Sequence, residues 1–194
     1  MTPTPPLIRF CAVAAPVFLL VYGLLRIVES SNGHRAHGFE WNLGHVFFFA
    51  SIVLLGVLVI GGRRLIPSDT AARRITADVA SVAALIGAAC FLWVILGDLS
   101  TRLHSNAPLP DPLQAIGPAL FQLGMLTLLI QLAAIPPRRI PPWSPVLVVL
   151  AFVAIASSLD LLPVAAILLA AGLAPLAVGR RVAAGSPITA SVDS

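Results

Sequence analysis

Runs of about twenty apolar residues recur from one end of the chain to the other, with only short polar connections between them. A water-soluble fold cannot hide so many unbroken apolar segments, because each is apolar all round rather than on one face. In a bilayer the same run is what a helix needs. About 20 residues at ~1.5 Å each cross ~30 Å of hydrocarbon, with every backbone polar group paired inside the helix. Composition agrees: 58% of the 194 residues are hydrophobic, 10% are charged, and the mean hydropathy is +0.97. The expected fold is all-α, a single transmembrane domain over residues 1–181 with a short cytoplasmic tail over 182–194.

Six spans can be cut from the chain, at about 7–28, 41–60, 79–97, 113–135, 145–159 and 161–178. Gly61 and Gly62 are expected to stop the second, and Thr76 and Asp78 to cap the third. The last apolar stretch is too long for one helix. Ser157, Ser158, Asp160 and Pro163 interrupt it and divide it into two helices joined by a tight turn.

Arginine placement supports that count. Arg63, Arg64, Arg73 and Arg74 follow span two, Arg138 and Arg139 follow span four, and Arg180 and Arg181 follow span six. Cytoplasmic loops are enriched in basic residues, so both termini are expected inside. With five spans the last pair would fall outside, against the rule. The net charge of +4 reads in the same way, as a topology signal rather than as a nucleic-acid surface. All twelve basic residues are arginine, a usage expected of a GC-rich bacterial genome, and the location expected is a bacterial cytoplasmic membrane.

The first apolar run follows Arg9 as a signal peptide would, but it is too long for a cleaved leader and reads as a retained helix. Cys11 and Cys90 fall at different depths, so no disulfide is expected between them. With no CxxC pair, thiol oxidation has no residues to use, and no cofactor is implied.

Once the topology is set, Glu29, Glu40, Asp98, Asp111 and Asp160 all fall at the outer face, as do His34, His37, His45 and His104, while the inner face keeps the arginines. Three groups stand at or inside the hydrocarbon boundary, where an ionisable side chain is expensive and suggests function. These are Asp98 at the end of span three, Asp160 in the turn between spans five and six, and His45 one turn inside span two. Each also has an ordinary explanation. Asp98 can pair with Arg102 one turn on, Asp160 can be the N-cap of span six, and His45 can hydrogen-bond a neighbouring helix.

Aromatic residues gather in the same half: Tyr22, Trp41, Phe48, Phe49, Phe91 and Trp93 with His45 are candidates to line a substrate cavity. At 3.6 residues per turn, Trp41, His45, Phe48 and Ile52 share one stripe, and Phe91, Ile95 and Asp98 share another. If the stripes face each other, a carboxyl stands at the rim of an aromatic pocket. The plain alternative is an interfacial aromatic belt.

Carboxyl groups above an aromatic, water-poor cavity suit protonation of a polyene or epoxide, with ring faces holding the carbocation until a proton is removed. The candidate acids are Asp98, Glu40, Asp160 and Glu29. In size, helix count and possession of intramembrane acids, the chain resembles the small bacterial membrane-bound terpene cyclases. That resemblance implies a proton-initiated cyclisation of an isoprenoid-like substrate. His34-x-x-His37 with Glu40 and His104 offers a looser alternative, a metal site, without the rigid spacing zinc sites use. A small transporter or a non-catalytic assembly partner remains the main alternative class. Gly56, Gly61, Gly87, Gly97, Gly117, Gly124 and Gly172 offer close helix packing, and Pro118 a break in span four.

Overall fold

A computed structural model describes residues 4–31 and 38–178. Its helices are α1 (Pro6–Ser31), α2 (Phe39–Leu65), α3 (Ala71–Leu99), a short α4 (Thr101–Asn106), α5 (Asp111–Ala134), α6 (Trp143–Ser157) and α7 (Leu162–Val178). A 3-10 turn at Leu159–Leu161 joins the last two. Four of these, and α7 taken together with that turn (Leu159–Val178), are long and apolar enough to cross a membrane, while α6 is apolar but shorter, at 15 residues. His34, His37 and the Arg180–Arg181 pair lie outside the described residues.

The long helices alternate in direction, as their contacts show. Gly61 of α2 meets Ile8 while Gly44 meets Tyr22, so α2 runs antiparallel to α1. Gly124 lies against Ala84 and Gly117 against Cys90, which sets α5 antiparallel to α3. Gly172 lies against Val148 and Gly23 against Leu162, fixing α7 against both α6 and α1. The order around the bundle is α1, α2, α3, α5, α6, α7 and back to α1, with its weakest seam between α5 and α6. Arg9, Arg63, Arg73 and Arg139 therefore share one end, and His45, Asp98 and Asp160 the other.

Small residues decide how close the helices come. A Cβ on Gly87 would strike the carbonyl of Gly117 and the backbone of Phe121, and one on Gly124 would stand 2.7 Å from the Ala84 nitrogen. Lipid provides no hydrophobic drive between helices, so backbone approach of this kind and interhelical hydrogen bonds supply the cohesion. Ser51 Oγ donates to Ala15 O at 2.8 Å between α2 and α1, Ser144 Oγ donates to Gly172 O between α6 and α7, and Arg9 Nε donates to Ala177 O at 2.7 Å at the end of α7.

Several helix boundaries differ from the sequence reading. Gly61 and Gly62 do not stop α2; Gly61 instead makes room for Ile8, whose Cγ1 would lie 2.6 Å from a Cβ there. The stop comes at Ile66, extended at φ −84 and ψ 125 before Pro67, as a pre-proline residue prefers. Ile135 before Pro136 ends α5 in the same way. Thr76 and Asp78 do not cap α3. The helix starts two turns earlier at Ala71, where Thr70 Oγ1 accepts from the Arg73 N–H, and Asp78 instead accepts from Arg63 Nε at 2.6 Å. Pro118 lies inside an unbroken α5. Asp160 does not cap α7: Ser158 does that for the 3-10 turn, accepting from the Asp160 N–H.

Candidate functional site

The site begins with Tyr22. Gly44 of α2 leaves its ring room to lie against that helix, where a Cβ would stand 3.2 Å from Tyr22 Cδ2. Tyr22 then stacks on Phe48 with ring centres 4.6 Å apart and planes 3° from parallel. Phe48 meets Phe91 of α3 edge-on at 6.1 Å, Phe91 meets Phe121 of α5 at 5.9 Å, and Phe121 meets Phe152 of α6 at 6.4 Å. This chain of rings walls a cavity of about 200 Å³ to which all six main helices contribute.

The two helical stripes meet across this space. His45, Phe48 and Ile52 line it from α2, and Phe91, Ile95 and Asp98 from α3. His45 is 3% exposed, wedged between Trp41 at 4.2 Å and Tyr22 at 5.6 Å between ring centres. Its Nδ1 lies 2.8 Å from the Trp41 carbonyl oxygen. A carbonyl only accepts, so Nδ1 carries a proton and Nε2 is the nitrogen that exchanges one. Nε2 faces Asp98 Oδ2 at 3.5 Å. Asp98 thus pairs across helices with His45 rather than along its own helix with Arg102, while among the described residues His45 hydrogen-bonds only its own helix.

The other candidates scatter. Trp41 flanks His45 without lining the cavity, and Phe49 packs half-buried against the core. Trp93 lies outside it, donating from Nε1 to Ala107 O at 3.0 Å. Asp160 is exposed in the 3-10 turn. Glu29 and Glu40 border a separate pocket of about 10 Å³, one water in size, behind the wall formed by Tyr22 and His45. Arg26 completes that pocket beside the Tyr22 hydroxyl. The inner face therefore does not keep all the arginines. The signal for Arg26 was present in the sequence: it stands one turn after Tyr22 and one turn before Glu29, on the same stripe.

Phe121, Gln122 and Phe152 also line the cavity and were missed. They come from α5 and α6, which no local pattern aligns with α2 and α3. Of the loose metal set, Glu40 and His104 border different pockets, and the two remaining histidines fall outside the described residues. Cys11 and Cys90 are separate buried thiols on α1 and α3. Comparison with family models, with curated proteins and with solved structures finds no match to this chain.

Proposed function

We propose that this chain is a membrane-embedded acid–base enzyme acting on a lipophilic, isoprenoid-like substrate, in the manner of a proton-initiated terpene cyclase. The observation that carries this reading is the His45–Asp98 pair opening onto a cavity walled by five aromatic rings. The pair delivers one proton to the substrate, and an epoxide oxygen suits it better than a bare alkene, which demands a stronger acid. As that proton reaches the oxygen the C–O bond breaks, leaving a carbocation beside the faces of Phe48, Phe91 and Phe121. A chain double bond attacks the cation and forms the new C–C bond. Loss of a proton from the resulting cation to His45 or Asp98 restores the pair, so the net reaction is an isomerisation. The apolar floor at Leu55 and Leu169 favours a closed reaction chamber over a transport path.

The same reading places the protein in a bacterial cytoplasmic membrane with six crossings and both ends inside. At ~1.5 Å per residue α6 reaches about 22 Å, short of the ~30 Å hydrocarbon core. Its antiparallel pairing with α7, and α7's with α1, supports a sixth crossing with the bilayer thinned locally.

The test is product formation from an epoxidised isoprenoid in membranes carrying single variants. Asp98→Asn keeps shape but cannot serve as an acid, and is expected to lower the rate by ~10² to 10⁴. Unchanged activity in Asp98→Asn, Glu40→Gln and Asp160→Asn alike would overturn the enzyme reading in favour of transport or assembly.

A further inference from the structure

The aromatic cavity has a polar neighbour. A second space, of about 100 Å³, is bounded by Trp93, Gly97, His104 and Gln114, and Val94 and Asp98 border both it and the cavity. It is a built space. The Trp93 hydrogen bond to Ala107 O holds the connection after α4 over it, and His104 packs beside Gly97, its Nδ1 within ordinary contact distance of a Cβ there, at 3.7 Å. Gln114 Nε2 donates to Leu109 O at 2.8 Å, which orients the amide and leaves its Oε1 to accept.

The polar groups around this chamber are the Asp98 carboxyl, the His104 ring and Gln114 Oε1. Among the described residues no arginine borders either space, and the chain contains no lysine. Arg26 belongs to the one-water pocket behind Tyr22 and His45, which is too small for a phosphate. A diphosphate placed here would meet a carboxyl and no guanidinium, the reverse of the fork that recognises phosphate.

We propose that the substrate is an uncharged amphiphile: an isoprenoid-like chain in the aromatic cavity, with a hydroxyl-type head in the polar chamber donating to Gln114 Oε1, and not a prenyl diphosphate. This rests on the acid–base reading above and specifies its substrate. The chain passes Asp98 at the boundary, which puts the reacting carbons next to the proton while the head fixes the register. A cavity of about 200 Å³, against about 10 Å³ for the one-water pocket on the same scale, has room for such a chain.

Equilibrium binding tests this without needing turnover. The purified full chain in lipid nanodiscs is titrated with geraniol, with the hydrocarbon myrcene and with geranyl diphosphate, and protein-free nanodiscs correct for partition. Geraniol is expected to bind about tenfold tighter than myrcene, with the diphosphate weakest. Gln114→Leu, at an exposed position in the first turn of α5, is expected to shrink the geraniol preference to about twofold while leaving myrcene binding unchanged. Asp98→Asn should raise diphosphate binding relative to geraniol. Tightest binding by the diphosphate, or equal binding of alcohol and hydrocarbon, overturns the head-group assignment alone. Absence of binding by all three overturns the isoprenoid reading with it.

Discussion

His45 Nε2 stands 3.5 Å from Asp98 Oδ2, while Nδ1 of the same ring is committed to the Trp41 carbonyl. The ring is therefore anchored to α2 through Nδ1, and Nε2 faces the α3 carboxyl with which, in the proposed reaction, it shares a proton. Groups that share a proton act as a unit, so their losses do not add. His45→Gln, Asp98→Asn and the double variant are each expected to lower turnover by ~10² to 10⁴, the double being no worse than about threefold beyond the singles. Phe91→Leu, which removes a ring face and no proton, should cost less. Independent, multiplying losses would show that the two residues do not share a step.

The close approach of α3 to α5 predicts sharply different costs at two glycines. Gly87→Ala pushes a methyl into the Gly117 carbonyl and the Phe121 backbone, whereas at Gly56 a Cβ would stand 3.9 Å from Leu85 Cδ2, an ordinary contact. Thermal unfolding in detergent is expected to show a loss of about 1–3 kcal/mol for Gly87→Ala, as overpacking usually costs, and almost none for Gly56→Ala. Equal effects would mean that the helices are further apart than described.

Topology is checked by reporter fusions. Fusions after Arg64, Arg139 and Arg181 should report cytoplasm, and fusions near Gly33 and Ser105 the outside. A periplasmic signal at the C-terminus would remove the sixth crossing.

In the connection between α2 and α3, Asp69 is ion-paired with Arg73, whose hydrogen bond holds the carboxyl below its ordinary value. A depressed folded-state value means that the pair stabilises the fold above the unfolded value of ~3.9, and that this contribution is lost as the pH falls through the folded value. Asp69→Asn should therefore melt slightly lower than the parent at neutral pH, the gap closing as the pH drops below about 4. The group is exposed, so the gap is small. A gap that persists in acid would assign the effect to something other than the ion pair.

Much of the site was legible in one dimension because its two central helices carry it as period-3.6 stripes: Trp41, His45, Phe48 and Ile52 on one, Phe91, Ile95 and Asp98 on the other. That Asp98 chose His45 over Arg102 was not legible. Both partners are within reach, and the choice depends on how α2 is rotated against α3, which Gly44 and the stacked Tyr22 help to set. Glu40 and Asp160 show the converse. Placement at the outer face made them candidates, but both are exposed and away from the cavity.

What the sequence determined by itself is the class of fold: long apolar runs demand helices in lipid because no other element pairs its own backbone there, and proline marks where α2 and α5 end. Which side chains share a space was decided only in three dimensions. Phe121 and Phe152 lie far along the chain from Phe48, and they join one aromatic wall only because α5 and α6 complete the bundle. Gln114, Trp93 and His104 likewise become one chamber because the connection after α4 folds back over α3. The physical reason is the same in each case. Periodicity says which face of a helix is distinctive, but the neighbour it turns that face toward is set by close packing at glycines such as Gly87, Gly117 and Gly124, whose effect depends on the partner backbone they admit.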